Sequence, residues 1–270
     1  MKKILIAAAV LICVIAASFM FFAGKDADRG AVTEEIFITA EDAKETEGAE
    51  DLSEPEVRKG EIGEKEKSLM RENGVGKKQT VPFIVQAPFA NWEDPIFQNA
   101  CEEASMIMAM GWVESAPSFS PQEAYDLIKK LVEFEDENLG YNTDTDTKDM
   151  EKIFREYFRH EKIASKENIS IGQIKNELER GNIVLVPTFG RALGNLNYTS
   201  PGPVTHMLVI IAYDEDKKQF VTNDPGTRKG KDYRYDENVL FDAIWEYPSG
   251  PILPDPPKGN LKKSMLVVSK

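Results

Sequence analysis

The sequence predicts an α+β domain, with helices in its first part and an antiparallel sheet in its second. Residues 100–113 are rich in helix formers and apolar nearly all round after the first turn, which is typical of a helix buried in a core. The apolar runs 207–213 and 219–223 flank the polar turn 214–218, and this pattern indicates a β-hairpin. Helices followed along the chain by antiparallel strands define the α+β class.

Local signals predict the remaining elements. An apolar, strand-like run at 81–85 marks the start of the domain, and 183–186 predicts a buried strand that ends at Pro187. Ser120 and Pro121 are the cap and first-turn residues that open a helix. Further helices are predicted at 147–160, 170–180 and 236–245, and a late strand at 265–269.

The composition divides the chain into four segments. Residues 1–24 are an N-terminal membrane anchor or signal segment, and 25–79 are a flexible acidic linker in which Phe37 is the only aromatic residue. The folded domain covers 80–250, and 251–270 form a C-terminal tail that can supply a last strand. The sequence therefore predicts one folded domain.

The N-terminal segment has the features of a membrane helix. Lys2 and Lys3 precede residues 4–23, which are apolar and uncharged. About 20 helical residues span the hydrocarbon core of a bilayer, whereas the apolar part of a cleavable signal peptide has about 7 to 15 residues. We therefore expect a single-pass anchor at 4–23 with everything after Gly24 outside the cytoplasm, or a secreted domain if the segment is cleaved.

The charge balance excludes one class of partner. The formal net charge is -13 at pH 7. Nucleic-acid binding needs clustered Lys and Arg residues that displace counterions from the phosphate backbone. We therefore expect no nucleic-acid partner.

The exported part of the chain contains a single cysteine. Cys13 lies inside the apolar N-terminal run, which leaves Cys101 beyond it. Exported proteins generally use cysteines in pairs, and an unpaired one is either a reactive thiol or a small buried hydrophobe. The residues around Cys101 have to distinguish these two roles.

Cys101 lies at the start of the predicted helix, after a stretch with Pro95 that resists helix formation. The free N–H groups and the dipole of a helix N-terminus stabilise a thiolate and lower the pKa of the thiol. Glu102 and Glu103 oppose this effect with negative charge, and a histidine partner would restore it. The position predicts a nucleophile.

Two histidines are candidates for that partner. His160 ends a charged amphipathic helix, where a cation is favourable, and we interpret it as structural. His206 opens the most apolar strand of the domain after a loop rich in Gly and Pro. We predict that His206 faces a cleft as the catalytic base.

The hairpin supplies a third residue. If its turn centres near Glu215, antiparallel pairing places Asp224 opposite His206, where a carboxylate can accept the second imidazole N–H and fix the tautomer. A register shift of one residue would turn Asp224 to the other face and leave Asn223 in that role. Asp224 is alternatively a turn residue, because 223–226 is strong turn sequence.

Gln98 lies three residues before Cys101 and could donate a hydrogen bond to an oxyanion beside the Cys101 backbone N–H. A solvent-facing loop amide is the alternative interpretation of Gln98. The sequence has no Gly-rich phosphate loop, and the acidic stretch 142–147 lacks the Gly and the final Glu of a calcium loop. We therefore expect no cofactor and no metal.

These residues resemble the papain-like cysteine peptidases related to those that cleave double-glycine leaders in bacteriocin export, in their stand-alone exported branch. The stretches that carry the resemblance are Phe-Gln-Asn-Ala-Cys-Glu-Glu-Ala-Ser at 97–105, Gly-Pro-Val-Thr-His-Met-Leu-Val-Ile at 202–210 and Thr-Asn-Asp-Pro-Gly-Thr-Arg at 222–228. The resemblance implies a papain-like fold over 80–250 and a triad of Cys101, His206 and Asp224. Glu102 stands where exporter-fused members usually carry Gly.

The sequence thus predicts an exported, membrane-anchored cysteine peptidase that hydrolyses peptide bonds as a monomer. Two alternatives stay open. The same Cys, His and Asp residues could cleave or transfer amide bonds in cell-wall peptides. A surface-binding module of the same fold could instead have lost turnover.

Overall fold

A computed structural model describes residues 78–250 and 257–270 of the chain. The predicted anchor at 4–23 and nearly all of the predicted linker at 25–79 lie outside these residues. Within the described ranges, no helix has both the length and the apolar character that a bilayer crossing requires.

Four helices come first along the described chain, and six strands with two further helices between them follow. The helices are α1 Pro95–Asn99, α2 Cys101–Val113, α3 Pro121–Asn138, α4 Thr147–Glu156, α5 Ile171–Glu179 and α6 Glu237–Ala243. The strands are β1 Ile163–Glu167, β2 Ile183–Phe189, β3 Thr205–Asp214, β4 Gln219–Asn223, β5 Tyr233–Asp236 and β6 Ser264–Val268. A 3-10 helix, Gly190–Leu193, follows β2.

Side-chain caps fix the starts of two of the predicted helices, α3 and α5. Ser120 and Glu123 form a capping box at the start of α3, and Ser170 and Gln173 form another at the start of α5. The helix predicted at 147–160 ends earlier, at the close of α4, and Arg159 beyond it has a left-handed φ of 58°. His160 therefore follows the helix rather than occupying its last turn.

The strands form one antiparallel sheet in the order β1-β6-β2-β3-β4-β5. The C-terminal strand β6 lies between β1 and β2, paired with both. Helices cover both faces of this sheet: α2, α3 and α4 pack on one face, and α5 and α6 on the other. Met207 and Val209 of β3 point into the first layer, while Leu208 and Ile210 point into the second.

One predicted strand and the predicted end of another are wrong. The run at 81–85 is extended but joins no ladder, and contacts the sheet through single bonds such as Asn223 Nδ2 to Val81 O at 3.2 Å. Strand β2 continues past Pro187, whose carbonyl accepts from Trp245 N at 2.9 Å on the side away from β3. Because N–H and C=O of a strand residue point the same way, the missing proline N–H costs no ladder bond with β3.

Candidate active site

Cys101 is the first residue of α2, and this helix packs against β3. Ala100 ends α1 and precedes α2 without a side-chain cap, and the first intrahelical bond runs from Ala104 N to Ala100 O at 3.1 Å. The N–H of Cys101 therefore has no partner within the helix. Cys101 is 4% exposed and lines a cleft.

The pKa of the Cys101 thiol is raised, whereas the sequence predicted a lowered pKa. Burial raises the pKa of Cys101 well above its usual value, and the charges of Glu102 and Glu103 raise it further. The backbone N–H of Met207, next to His206, acts in the opposite direction and lowers the pKa of the thiol. The helix N-terminus alone therefore does not make Cys101 a thiolate in this structure.

Glu102 is hydrogen-bonded to the sulfur of Cys101. Cys101 Sγ lies 3.0 Å from Glu102 Oε2, and the Tyr247 hydroxyl donates to Glu102 Oε1 at 2.5 Å. Burial, with the charges of Glu103 and Asp144, raises the pKa of Glu102 to about 8. This carboxyl group is therefore neutral at neutral pH.

Two more carboxyl groups lie behind this pair. Burial raises the pKa of Glu103, on α2, well above its usual value and that of Glu135, on α3, to about 7. Glu103 Oε2 and both Glu135 oxygens are buried and have no hydrogen bond to any other described group. Glu103 and Glu135 can hydrogen-bond each other only if one of the two carboxyl groups is protonated and donates to the other.

His206 is the second residue of β3 and is almost fully buried. Its Nε2 lies 2.8 Å from Asp224 Oδ1, and the ring of Tyr198 packs edge-on against it at a centroid distance of 5.4 Å. A Cβ at Gly226 would lie 2.8 Å from His206 Cε1. The imidazole is therefore confined between a carboxylate, an aromatic ring and a glycine.

The hairpin brings His206 and Asp224 together by a different register from the predicted one. Val209 pairs with Asn223 and Ala212 with Val221, with a bulge between them. Continued towards the site, this ladder would place His206 opposite residue 226. The offset from the predicted pairing is two residues, and a shift of two keeps Asp224 on the face of His206.

Asn223 does not take the orienting position. It lies on the opposite face of β4, where its Nδ2 donates to Val81 O at 3.2 Å and its Oδ1 accepts from Asp232 N at 3.2 Å. Asp224 is also a turn residue, since Oδ1 accepts from Gly226 N at 3.0 Å. The two interpretations of Asp224 are thus compatible.

Asp224 is a buried carboxylate with several donors. Its Oδ2 accepts from the hydroxyl groups of Tyr198 and Tyr235, each at 2.6 Å, and from Asn195 Nδ2 at 3.2 Å. Burial alone would raise the pKa of Asp224, but the charge of His206 and these hydrogen bonds hold it below its usual value. Asp224 is therefore ionised and fixed in place.

Cys101 and His206 line the same cleft, which has a volume of about 750 Å³. Loops carrying Leu196 and Arg228 form the rim beside His206, and Leu196 is 95% exposed. Gln98 is exposed and lines the cleft, with its carbonyl accepting from Gln86 Nε2 at 3.0 Å. No group of three or more metal-ligating side chains occurs within 78–250 and 257–270.

Several site residues escaped prediction. Tyr198 and Tyr235 reach Asp224 from outside the predicted hairpin, and nothing in their local sequence signals this contact. Gln86 is buried in the cleft wall, donates to the carbonyls of Phe97 and Gln98, and keeps a buried, unbonded Oε1. A polar residue directly after the apolar run 81–85 was the signal available for Gln86.

The comparison with family models decides the assignment. Residues 78–251 match the model of the Peptidase_C39-like family. This chain belongs to that family. The match confirms the predicted resemblance, and the helices on a six-stranded antiparallel sheet agree with the predicted α+β, papain-like class. Membership in the Peptidase_C39-like family supports a peptidase-type function.

Among solved structures, the crystal structure of a candidate C39-like peptidase from Bacillus anthracis is similar to this Peptidase_C39-like chain. The two share 14% sequence identity, and the match covers 71% of this chain and 96% of that chain with a TM-score of 0.38. The comparison with curated proteins gave no match.

Proposed function

We propose that this protein is a cysteine peptidase with Cys101 as nucleophile, His206 as general base and acid, and Asp224 as orienting residue. One observation carries the proposal: His206 is bonded to the buried Asp224 in the cleft that Cys101 lines, in a chain of the Peptidase_C39-like family. The reaction needs no cofactor.

Asp224 sets the tautomer of His206. An ionised carboxylate only accepts hydrogen bonds, so the Nε2 atom of His206 carries the proton and Nδ1 keeps its lone pair. Nδ1 has no hydrogen bond to a described residue. It is the atom that would take the Cys101 thiol proton.

The proposed reaction has two stages. The S–H bond of Cys101 breaks, its proton passes to His206 Nδ1, and the sulfur attacks the peptide carbonyl carbon. The Nδ1 proton then passes to the leaving amine, and the substrate's acyl part remains as a thioester on Cys101. Water, deprotonated by His206, attacks the thioester and releases the carboxylic acid and the thiol.

The oxyanion of the first stage needs donors. We propose the backbone N–H of Cys101 and the side chain of Gln98 for this role, because the N–H has no intrahelical partner and Gln98 is in the cleft. Gln98→Ala should lower kcat by about 10²- to 10³-fold. Gln86→Ala is the comparison: a loss confined to Gln86→Ala would move the role to Gln86 and contradict the assignment of Gln98.

Peptide hydrolysis by purified variants tests the proposal. Cys101→Ala and His206→Ala should abolish turnover, and Asp224→Asn should lower kcat by about 10⁴-fold because the fixed tautomer is lost. His160→Gln, outside the cleft, should keep the wild-type rate. Turnover retained by Cys101→Ala would contradict the mechanism, and turnover of muropeptides alone would favour the cell-wall amidase.

A second candidate is a binding module without turnover. The raised pKa of Cys101 and its bond to Glu102 favour this alternative, because an unreactive thiol is what such a module would keep. Titration of Cys101 with iodoacetamide separates the two. Alkylation that begins only above about pH 8.5 favours the binding module, and alkylation near neutral pH favours the peptidase.

We also propose that the domain acts outside the cytoplasm, anchored through residues 4–23, on peptide or protein substrates. The supporting observation is the uncharged apolar run after Lys2 and Lys3. Protease added to intact cells should digest the domain. Full protection in intact cells and digestion after lysis would contradict this location.

A further inference from the structure

Glu102 contacts the reacting sulfur, and the proposed reaction leaves this contact unused. Glu102 is 1% exposed, and its carboxyl group has two hydrogen-bond partners, Cys101 Sγ at Oε2 and the Tyr247 hydroxyl at Oε1. A Gly at this position would leave both partners without this bond. The contact therefore requires an account of what Glu102 does to the thiol.

In the structure the Cys101 thiol donates to Glu102 Oε2 at 3.0 Å, and the protonation state of Glu102 decides whether this direction holds. If Glu102 is a carboxylate, the thiol must donate its proton to Oε2, and that proton no longer points at His206. If Glu102 is a neutral acid with its proton on Oε2, this O–H donates to the sulfur. The thiol proton is then free to point at His206.

Tyr247 favours one site for the acid proton. Its hydroxyl donates to Oε1 at 2.5 Å, so a proton on Glu102 is left with Oε2, the oxygen that faces the sulfur. The two oxygens of Glu102 are therefore not equivalent. The neutral acid is held in the orientation that supports a thiolate.

We propose that Glu102 is a positioning residue for Cys101: as a neutral acid it donates a hydrogen bond to the sulfur and leaves the thiol proton to His206, and as a carboxylate it holds that proton itself. The inference rests on the proposed function. During transfer the S–H bond breaks and a bond to His206 Nδ1 forms, while Glu102 keeps its own proton and hydrogen-bonds the thiolate.

Acidic groups surround Glu102 from each neighbouring element. The titratable groups facing it are Cys101 and Glu103 from α2, Glu135 from α3, Asp144 from the loop before α4 and Tyr247 from the segment after α6. From β3, His206 lines the cleft that Cys101 also lines. Burial and the charges of Glu103 and Asp144 outweigh the hydrogen bonds from Cys101 and Tyr247 and keep Glu102 neutral to about pH 8, so activity should fall above that pH.

Glu102→Gln tests the inference because a glutamine copies the neutral acid and cannot ionise. Its oxygen can accept from Tyr247 while its NH₂ group donates to the sulfur. With the full chain in detergent, wild-type hydrolysis should fall about tenfold per pH unit above pH 8, and Glu102→Gln should lack this fall. Glu102→Leu, of similar size but without a donor, should be at least tenfold slower than Glu102→Gln at pH 7.

Tyr247→Phe is the second variant. It removes a donor that favours the carboxylate, so the alkaline fall of wild-type activity should move to higher pH. Identical pH profiles for the wild type and both Glu102→Gln and Tyr247→Phe would overturn the inference while leaving the peptidase proposal intact.

Alkylation of Cys101 by iodoacetamide is a readout that does not depend on turnover. At pH 9 the thiol of Glu102→Gln should react at least tenfold faster than the wild-type thiol. If this difference is found but no variant hydrolyses peptides, the role of Glu102 stands and the peptidase proposal fails. Equal alkylation rates in an active enzyme would overturn the role of Glu102 alone.

Discussion

Raising the pH from 5 to 8 should destabilise the folded protein, because three carboxyl groups are buried between α2, α3 and the cleft. Burial raises the pKa of Glu102 from 4.5 to about 8 and that of Glu135 from 4.5 to about 7, and it also raises the pKa of Glu103. The folded chain therefore binds protons in a pH range where the unfolded chain has released them. Stability from such groups is complete below the unfolded pKa and is lost as the pH rises through the folded pKa.

The size of the effect follows from these shifts. One pKa unit corresponds to about 1.4 kcal/mol, so the Glu102 shift from 4.5 to about 8 corresponds to about 5 kcal/mol and the Glu135 shift to about 3 kcal/mol. The groups interact, so the two effects do not simply add. We expect the free energy of unfolding to fall by roughly 3 to 6 kcal/mol between pH 5 and pH 8.

Groups with lowered pKa values act outside this window. The lowered pKa of Asp224 contributes stability that is present above its usual value of 3.8 and is lost as the pH falls below it. Its effect is therefore constant between pH 5 and pH 8. The three buried carboxyl groups should therefore give a fall in that range, and Asp144 and Glu246, whose pKa values burial also raises, add to it in the same direction.

Urea unfolding of the full chain in detergent at four pH values, followed by tryptophan fluorescence, measures the effect. Glu135→Gln should reduce the fall by about 2 to 3 kcal/mol, since glutamine cannot ionise. Glu133→Gln, at an exposed position of the same helix, is the matched control and should reproduce the wild-type slope. A free energy of unfolding that is constant or rises from pH 5 to pH 8 would refute the reasoning.

Two further predictions concern the cleft. Gly226→Ala should lower kcat at least tenfold, because the new Cβ would lie 2.8 Å from His206 Cε1. Gly172→Ala is the control and should keep kcat, because the nearest atom to its new Cβ lies at 3.9 Å. Equal kcat values for the two variants would argue against the close packing of Gly226 on His206. Leu196→Asp should raise KM for peptides with little change in kcat, because Leu196 is 95% exposed and lines the cleft. Val239→Asp is the control: Val239 is exposed but does not line the cleft, so its substitution should leave KM unchanged.

Local chemistry made some elements predictable. The buried helix α2, the capped start of α3 at Ser120 and the hairpin of β3 and β4 all follow from patterns within a few residues, and the structure confirms them. The family match likewise confirms the resemblance. Strand β2 ran past Pro187 because β6, which would need that N–H, pairs only with Ile183–Leu185. That pairing partner is about 80 residues away in the chain and leaves no local signal.

The site shows the same division. A count of residue types sufficed to choose Cys101, the choice of His206 over His160 needed their local sequence context, and the catalytic roles of Cys101 and His206 stay predictions. Asp214 pairs with Gln219, three residues from the predicted register, and the bulge between Ile210 and Ala212 reduces this offset to two, which keeps Asp224 on the predicted face. Glu102 was recognised as a negative charge but not as a bonded partner of the sulfur. Its raised pKa depends on burial and on the charges of Glu103 and Asp144, and the burial and the approach of Asp144 arise only from the tertiary packing.

The most direct measurement of the central proposal is the mass of the trapped acyl-enzyme. The full chain is mixed with an excess of a peptide ester, quenched in acid within milliseconds, digested and analysed by mass spectrometry. We predict that the peptide's acyl group is found as a thioester on Cys101, and that this species is absent from Cys101→Ala. Ester hydrolysis without a thioester on Cys101, or at an equal rate in Cys101→Ala, would contradict the proposed mechanism.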